Sequence, residues 1–210
     1  EAVVDAAAGR PVLAPGGLAA VYGWALAPGQ ALAAGYPLPR SLAGVSVKMG
    51  GVAAPLLYTT RGQLAFQVPF SLAPGPAVVA VTHGELTSTL QAMVRPFAPA
   101  IFALVHADGR LVSAAAPAEA GEWLVLYLTG LGAAPEVSEG EAAEGAVRVV
   151  ESVRLELDGV ECEVAYAGLA PGLAGVNQIN WRVPAGAKAS MLRVSDAAGT
   201  ASATAMVPVR

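Results

Sequence analysis

His83 and His106 are the only imidazoles in the chain, and so the first places to look for proton transfer. A hydrolytic triad needs a nucleophile, a base and an orienting acid within hydrogen-bond reach. His83 precedes Gly84-Glu85, and His106 leads into Asp108-Gly109; both are turn sequences, so both rings are expected in solvent. No Gly-x-Ser-x-Gly elbow is present. Gly16-Gly17 and Gly50-Gly51 lack the lysine and helix start of a phosphate loop. Cys162 is the single cysteine, and it is expected to fill a small apolar site where Ala54 stands in the first half. Glu136, Glu139, Glu141 and Glu144 crowd one loop. Calcium loops add closely spaced Asp and Asn ligands, and this loop has neither, so it is read as a solvated acidic loop. No catalytic residue, cofactor or metal site is expected.

The remaining polar candidates are amides. Gln63 and Gln178 each open a segment that ends in Val-Pro. An amide held there is expected to act as a structural clamp, donating to carbonyls of the long preceding loop. Asn177, Asn180 and Trp181 surround Gln178 and form a candidate partner-contact or sugar-facing patch, an aromatic platform beside amides. Tyr36 lies on a long loop and is a further candidate contact.

These residues must be held by β-structure, because the chain states one pattern twice. Val45, Val47 and Met49 alternate up to Gly50-Gly51-Val52, with Tyr58 after them; Val153, Leu155 and Leu157 alternate up to Asp158-Gly159-Val160, with Tyr166 after them. Gln63 to Pro69 and Gln178 to Pro184 close the two copies, and Tyr22 and Tyr127 sit in matching apolar segments. A repeat of this length points to two similar modules. Short alternating segments punctuated by Gly and Pro predict strands over 18–24, 45–49, 56–60, 63–68, 77–82 and 87–94. In the second half they predict strands over 123–129, 149–157, 163–167, 176–183, 191–195 and 200–209. The fold class expected is all-β: two tandem immunoglobulin-like β-sandwiches related by duplication, over residues 1–96 and 97–210. Trp24, Trp123 and the paired tyrosines are expected in the core or between the modules.

Of the 210 residues, 55% are hydrophobic and 13% charged, against about 25% charged in an ordinary domain. This reads either as extensive subunit contact or as alanine enrichment. The formal net charge is −4 and the twelve basic residues are scattered, which disfavours nucleic acid as a partner. Prolines break both long uncharged stretches, so membrane insertion is not expected. Glu1 begins the chain without a signal-peptide pattern, as either a cytosolic protein or a mature secreted chain would.

The chain resembles the Solibacter-type C-terminal domain carried by large secreted proteins of Acidobacteria. The resemblance rests on Val3-Val4-Asp5-Ala6-Ala7, Ala14-Pro15-Gly16, Pro37-Leu38-Pro39, Gly44-Val45-Ser46-Val47, Ala54-Pro55-Leu56-Leu57-Tyr58 and Gln67-Val68-Pro69. In the second half it rests on Thr129-Gly130-Leu131-Gly132, Ala167-Gly168-Leu169-Ala170-Pro171-Gly172 and Gln178-Ile179-Asn180. Each half also resembles the immunoglobulin-like fold of plexins and transcription factors. The resemblance implies an extracellular, non-enzymatic pair of β-sandwiches. The expected function is that of a secreted or cell-surface structural protein that associates with itself or with envelope proteins, in the boldest form a filament or sheath subunit. The alternative is a glycan- or protein-binding spacer from a larger secreted protein. The terminal segments Val3-Val4 and Val207 to Val209 are expected to pair with a neighbouring subunit.

Overall fold

A computed structural model describes residues 2–188, 190–199 and 202–210. The described residues hold strands and turns and no helix. In the first half the strands are β1 (Ala2–Asp5), β2 (Val12–Leu13), β3 (Leu18–Tyr22), β4 (Ala31–Leu32), β5 (Ser41–Leu42), β6 (Val45–Met49), β7 (Val52–Ala54), β8 (Leu56–Thr59), β9 (Gln63–Gln67), β10 (Gly75–His83) and β11 (Leu86–Val94). In the second half they are β12 (Ala100–His106), β13 (Trp123–Thr129), β14 (Val153–Leu157), β15 (Val160–Glu161), β16 (Glu163–Leu169), β17 (Asn177–Arg182), β18 (Ser190–Asp196) and β19 (Ser202–Val207). Thr200 and Ala201, which open the last sequence-predicted strand, lie outside the described residues.

Eight described strands of the first half have a counterpart in the second. One sheet of the first half runs β1-β3-β9-β8-β4, and its counterpart runs β12-β13-β17-β16. The facing sheets run β2-β11-β10-β6-β5, with β7 on β6, and β19-β18-β14-β15. Even the irregularities repeat. The β8/β9 ladder shifts register between Leu56 and Tyr58, and the β16/β17 ladder shifts between Val164 and Tyr166. A parallel contact caps β11 through Val12–Leu13 on Met93–Val94, and a parallel bridge from Ala118 to Val209 stands at the matching place after β19.

Each sandwich closes on its own core. Val45, Val47 and Met49 on β6 meet Leu64 and Phe66 on β9 in the first; Leu155 and Leu157 on β14 meet Ile179 and Trp181 on β17 in the second. Period-2 alternation puts these side chains on the inner faces. Cys162 is buried in the second core, and burial pushes its thiol up to about 11, which leaves it an unreactive space-filler. The long loop expected around Tyr36 carries the two-residue strands β4 and β5, and the strand expected from Val149 begins only at Val153. Short ladders of this kind are set by tertiary pairing, and local propensity gives no sign of them.

Candidate functional site: the seam and the two poles

Two loops and one strand end weld the sandwiches together. Gln67 closes β9 on the outer face of its sheet, yet it is only 1% exposed, because residues 135–145 of the second half lie over it. Its Nε2 donates to Gly16 O at 3.1 Å, and its Oε1 accepts from Gly140 N–H at 2.6 Å. Gly140 O in turn accepts from Leu38 N–H at 2.8 Å. Gly140 has φ +85°, and a Cβ there would stand 3.1 Å from Leu38 O and 3.2 Å from Pro55 Cβ, so the close approach requires glycine. Arg40 adds an ion pair to Glu139 at 3.2 Å.

A second junction joins β3 to β13. Thr129 Oγ1 accepts from Leu18 N–H at 2.7 Å and donates to Gly175 O at 2.9 Å. A third is built on Asp5. Its buried carboxylate accepts from the backbone N–H groups of Ala7, Ala8 and Arg10 and from Arg10 Nε, which fixes the turn. Arg10 is thereby aimed across the seam, where it donates to Pro99 O and to Ser202 O. Phe70 from the first half packs against a small apolar cluster of Ala134, Ala143 and Leu169 in the second. Buried groups paired this completely hold a single arrangement, since breaking any one pair strands a desolvated partner.

Several sequence expectations are corrected here. The clamp is not Gln63 or Gln178. Gln63 stands opposite Tyr22, and its Nε2 donates to the Tyr22 hydroxyl; Gln178 stands opposite Tyr127 and donates to Asn180 Oδ1. Neither reaches a carbonyl of a preceding loop. The clamps are Gln67 and Asn177, the latter buried, accepting from Leu131 N–H at 3.1 Å and placed beside Gly168 O at 3.4 Å. Asn177 and Trp181 therefore form no surface patch. On β17 the residues Asn177, Ile179 and Trp181 face inward, Trp181 is 0% exposed, and of the proposed set only Asn180 is partly open. Trp181 Nε1 has no hydrogen-bond partner. The acidic loop is not simply solvated, because Gly140 and Ala143 are buried at the seam. Tyr36, preceding a cis proline, is exposed and lines a cleft with Glu136, Glu141 and Glu144. Val3, Val4 and Val207 bury their side chains in the two halves.

The two ends of the molecule differ in chemistry. β3 starts at the seam and ends at Tyr22, so the loops beyond it form the free pole of the first sandwich. There Trp24 is 88% exposed and Leu86 is 79% exposed, which overturns the expectation of a core or inter-module Trp24. Backbone bonds from Gly23 N–H to Gly62 O and from Leu26 N–H to Arg61 O fix this loop. Ala25 takes a left-handed φ of 55°, and Leu26 turns inward while Trp24 stays out. With Ala27, Pro28, Arg61 and His83, the side chains of Trp24 and Leu86 enclose a groove of about 510 Å³.

The opposite pole carries charge. His106, expected in solvent, is 6% exposed. Its Nδ1 lies 2.6 Å from Glu122 Oε1 and its Nε2 lies 3.1 Å from Ala116 O. Both ring nitrogens face acceptors, which is the arrangement of an imidazolium. The hydrogen bond to Glu122 raises the His106 pKa above the usual histidine range and outweighs burial, which acts the other way. Burial pulls Glu122 up, but its bonds from His106 and from Glu119 N–H prevail and hold it below the usual range. Arg210 pairs with Glu119, and Arg110 with Asp108, on the same rim. The sequence gives no short-range signal for this pair, because β12 and β13 must first align His106 with Leu124.

Comparison with known proteins adds little to this geometry. No family model matches the chain, and no curated protein matches it. Among solved structures it is similar to the I9-I11 tandem from titin at 14% identity and TM-score 0.27, covering 100% of this chain and 66% of that one. Domains 4 and 5 of the S-layer protein SbsC are similar at 12% identity and TM-score 0.26, covering 79% and 76%. The Yersinia pseudotuberculosis adhesin InvE is similar at 11% identity and TM-score 0.29, covering 99% and 58%. Superpositions this loose carry no argument, and the tandem immunoglobulin-like fold rests on the strand order above. No helix among the described residues is long and apolar enough to cross a membrane.

Proposed function

We propose that this chain is a non-enzymatic structural module of the cell surface or extracellular space that associates with copies of itself. The reading keeps two modules, 1–96 and 97–210, as one stiff unit, and keeps the kinship to the Solibacter-type domain on the residues quoted above. The observation that carries it is the free pole of the first sandwich. Two backbone hydrogen bonds hold Trp24 out in water beside Leu86, and a monomer gains nothing from ordering that much apolar surface in solvent. Sedimentation velocity over a wide concentration range, with negative-stain microscopy, tests it. Growth in size with concentration is expected, and a monodisperse monomer at the highest concentration rejects it.

A second reading is favoured by the same groove. Trp24 beside Arg61 and His83 offers an aromatic platform with polar neighbours, which suits a sugar or an extended peptide. Under this reading the platform is Trp24 and not the buried Trp181. Glycan-array binding that is lost in Trp24→Ala would favour it.

A further inference from the structure

Among the described residues, two long strands leave much of one sheet edge open, and they occupy equivalent places in the duplication. β11 pairs along its whole length with β10 but meets β2 only at Met93 and Val94. On the side away from β10, the span from Leu86 to Gln91 has no described strand beside it, and its residues are exposed apart from a half-buried Leu90. β19 pairs only with β18 and is terminal in its sheet. Neither strand contains a charged residue or a proline, and their outward rows read alike: Thr87, Thr89, Gln91 and Met93 on one, Ser202, Thr204 and Met206 on the other.

Soluble sheets ordinarily blunt their edges with charge, proline, bulges or brevity. The other terminal strands of this molecule do so, among the described residues. β4, β5 and β15 have two residues each; β1 has four and ends in Asp5; β12 carries a register shift and an added bridge from Val105 to Leu111; β16 starts at Glu163 and is bridged by Arg148 at Gly168. Among the described residues, β11 has only its β2 contact at Met93–Val94 and β19 only the Arg10 bond to Ser202 O at its first residue.

We infer that β11 and β19 are assembly edges and that their occupant is a strand of a second copy of this chain. This rests on the self-association reading and gives it a surface. The occupant is a second copy because each edge already displays an uncharged strand of similar side-chain pattern, so copy-to-copy pairing opposes no like charges. Two open edges per chain make the contact non-closing: a copy joined through one edge still offers the other, and growth continues.

Thr89→Lys and Thr204→Lys place a charge on each edge at exposed positions. Sedimentation velocity is run on the parent, each single variant and the double variant. The parent is expected to form species larger than dimers, each single variant to stop at dimers or below, and the double variant to remain monomeric with an unchanged cooperative melt. If a Lys variant loses that melt, Thr89→Glu or Thr204→Glu takes its place. A double variant that assembles as the parent does overturns the edges while leaving self-association standing. A parent that stays monomeric overturns both.

Discussion

Replacing Gln67 by Leu isolates what the seam contributes. The side-chain volume is nearly conserved, so no large cavity opens. What is lost are the partners of two buried backbone groups, Gly140 N–H and Gly16 C=O. Each of the two stranded groups costs about 1–3 kcal/mol, and the greater apolarity of leucine returns about 1 kcal/mol, leaving a loss of about 1–5 kcal/mol. For a chain of this size that lowers the midpoint of thermal unfolding by about 2–20 °C. The assay is tryptophan fluorescence in heat and in urea, with limited proteolysis to show cleavage within 135–145 as the loop detaches. Gln63→Leu is the matched control, since its amide only meets the half-exposed Tyr22 hydroxyl; it is expected to cost at most about 0.5 kcal/mol. If Gln67→Leu costs no more than Gln63→Leu, the seam is not held by this amide and the reasoning fails.

Three further outcomes are expected. The His106–Glu122 pair makes stability depend on pH with a definite sign. A raised histidine pKa stabilises fully below the ordinary 6.5 and loses that effect as pH rises through the folded value; a lowered glutamate pKa stabilises above the ordinary 4.5 and is lost as pH falls through the folded value. A melting profile from pH 4 to 9 should therefore fall on its alkaline side, and His106→Gln should flatten that fall; an identical profile in the variant refutes the pairing. Trp181→Phe removes a buried N–H that has no partner, so urea unfolding should place it within about 1 kcal/mol of the parent, whereas Trp181→Ala should cost about 3–5 kcal/mol. Glu139→Gln breaks only a solvent-screened pair with Arg40 and should change stability by less than about 0.5 kcal/mol in the same assay; a larger loss would mean that charge and not Gln67 holds the acidic loop.

What was legible in the sequence follows from what strand alternation reports. Period two, read twice, gave both sandwiches and the core residues Val45, Val47, Met49, Leu155 and Leu157. The same rule, carried through β17, puts Trp181 on the face of Ile179 and so inside, where the structure has it; the surface patch was an error of parity. Gln67 was illegible for another reason. Alternation places it on the outer face with Gln63, and only the second half of the chain, folded over it, makes that face an interior. Alternation reports the face of a strand and is silent on what covers it. Trp24 was misplaced because the first copy turns at Ala25, within the loop, and buries Leu26 there, and no periodicity operates in a loop.

Because β1 sets out from the apolar pole, with Ala2 opposite Tyr22, while Arg210 reaches the charged pole beside Glu119, the polypeptide enters and leaves at opposite extremes. A pull applied at both ends runs along β1 and β19, parallel to their lengths. The cross-strand bonds to β3 and β18 are then loaded in shear and must yield together, with no unzipping from one end. Asp5, Arg10 and Ser202 carry part of that tension across the seam, where the Arg10 guanidinium bridges the two sandwiches.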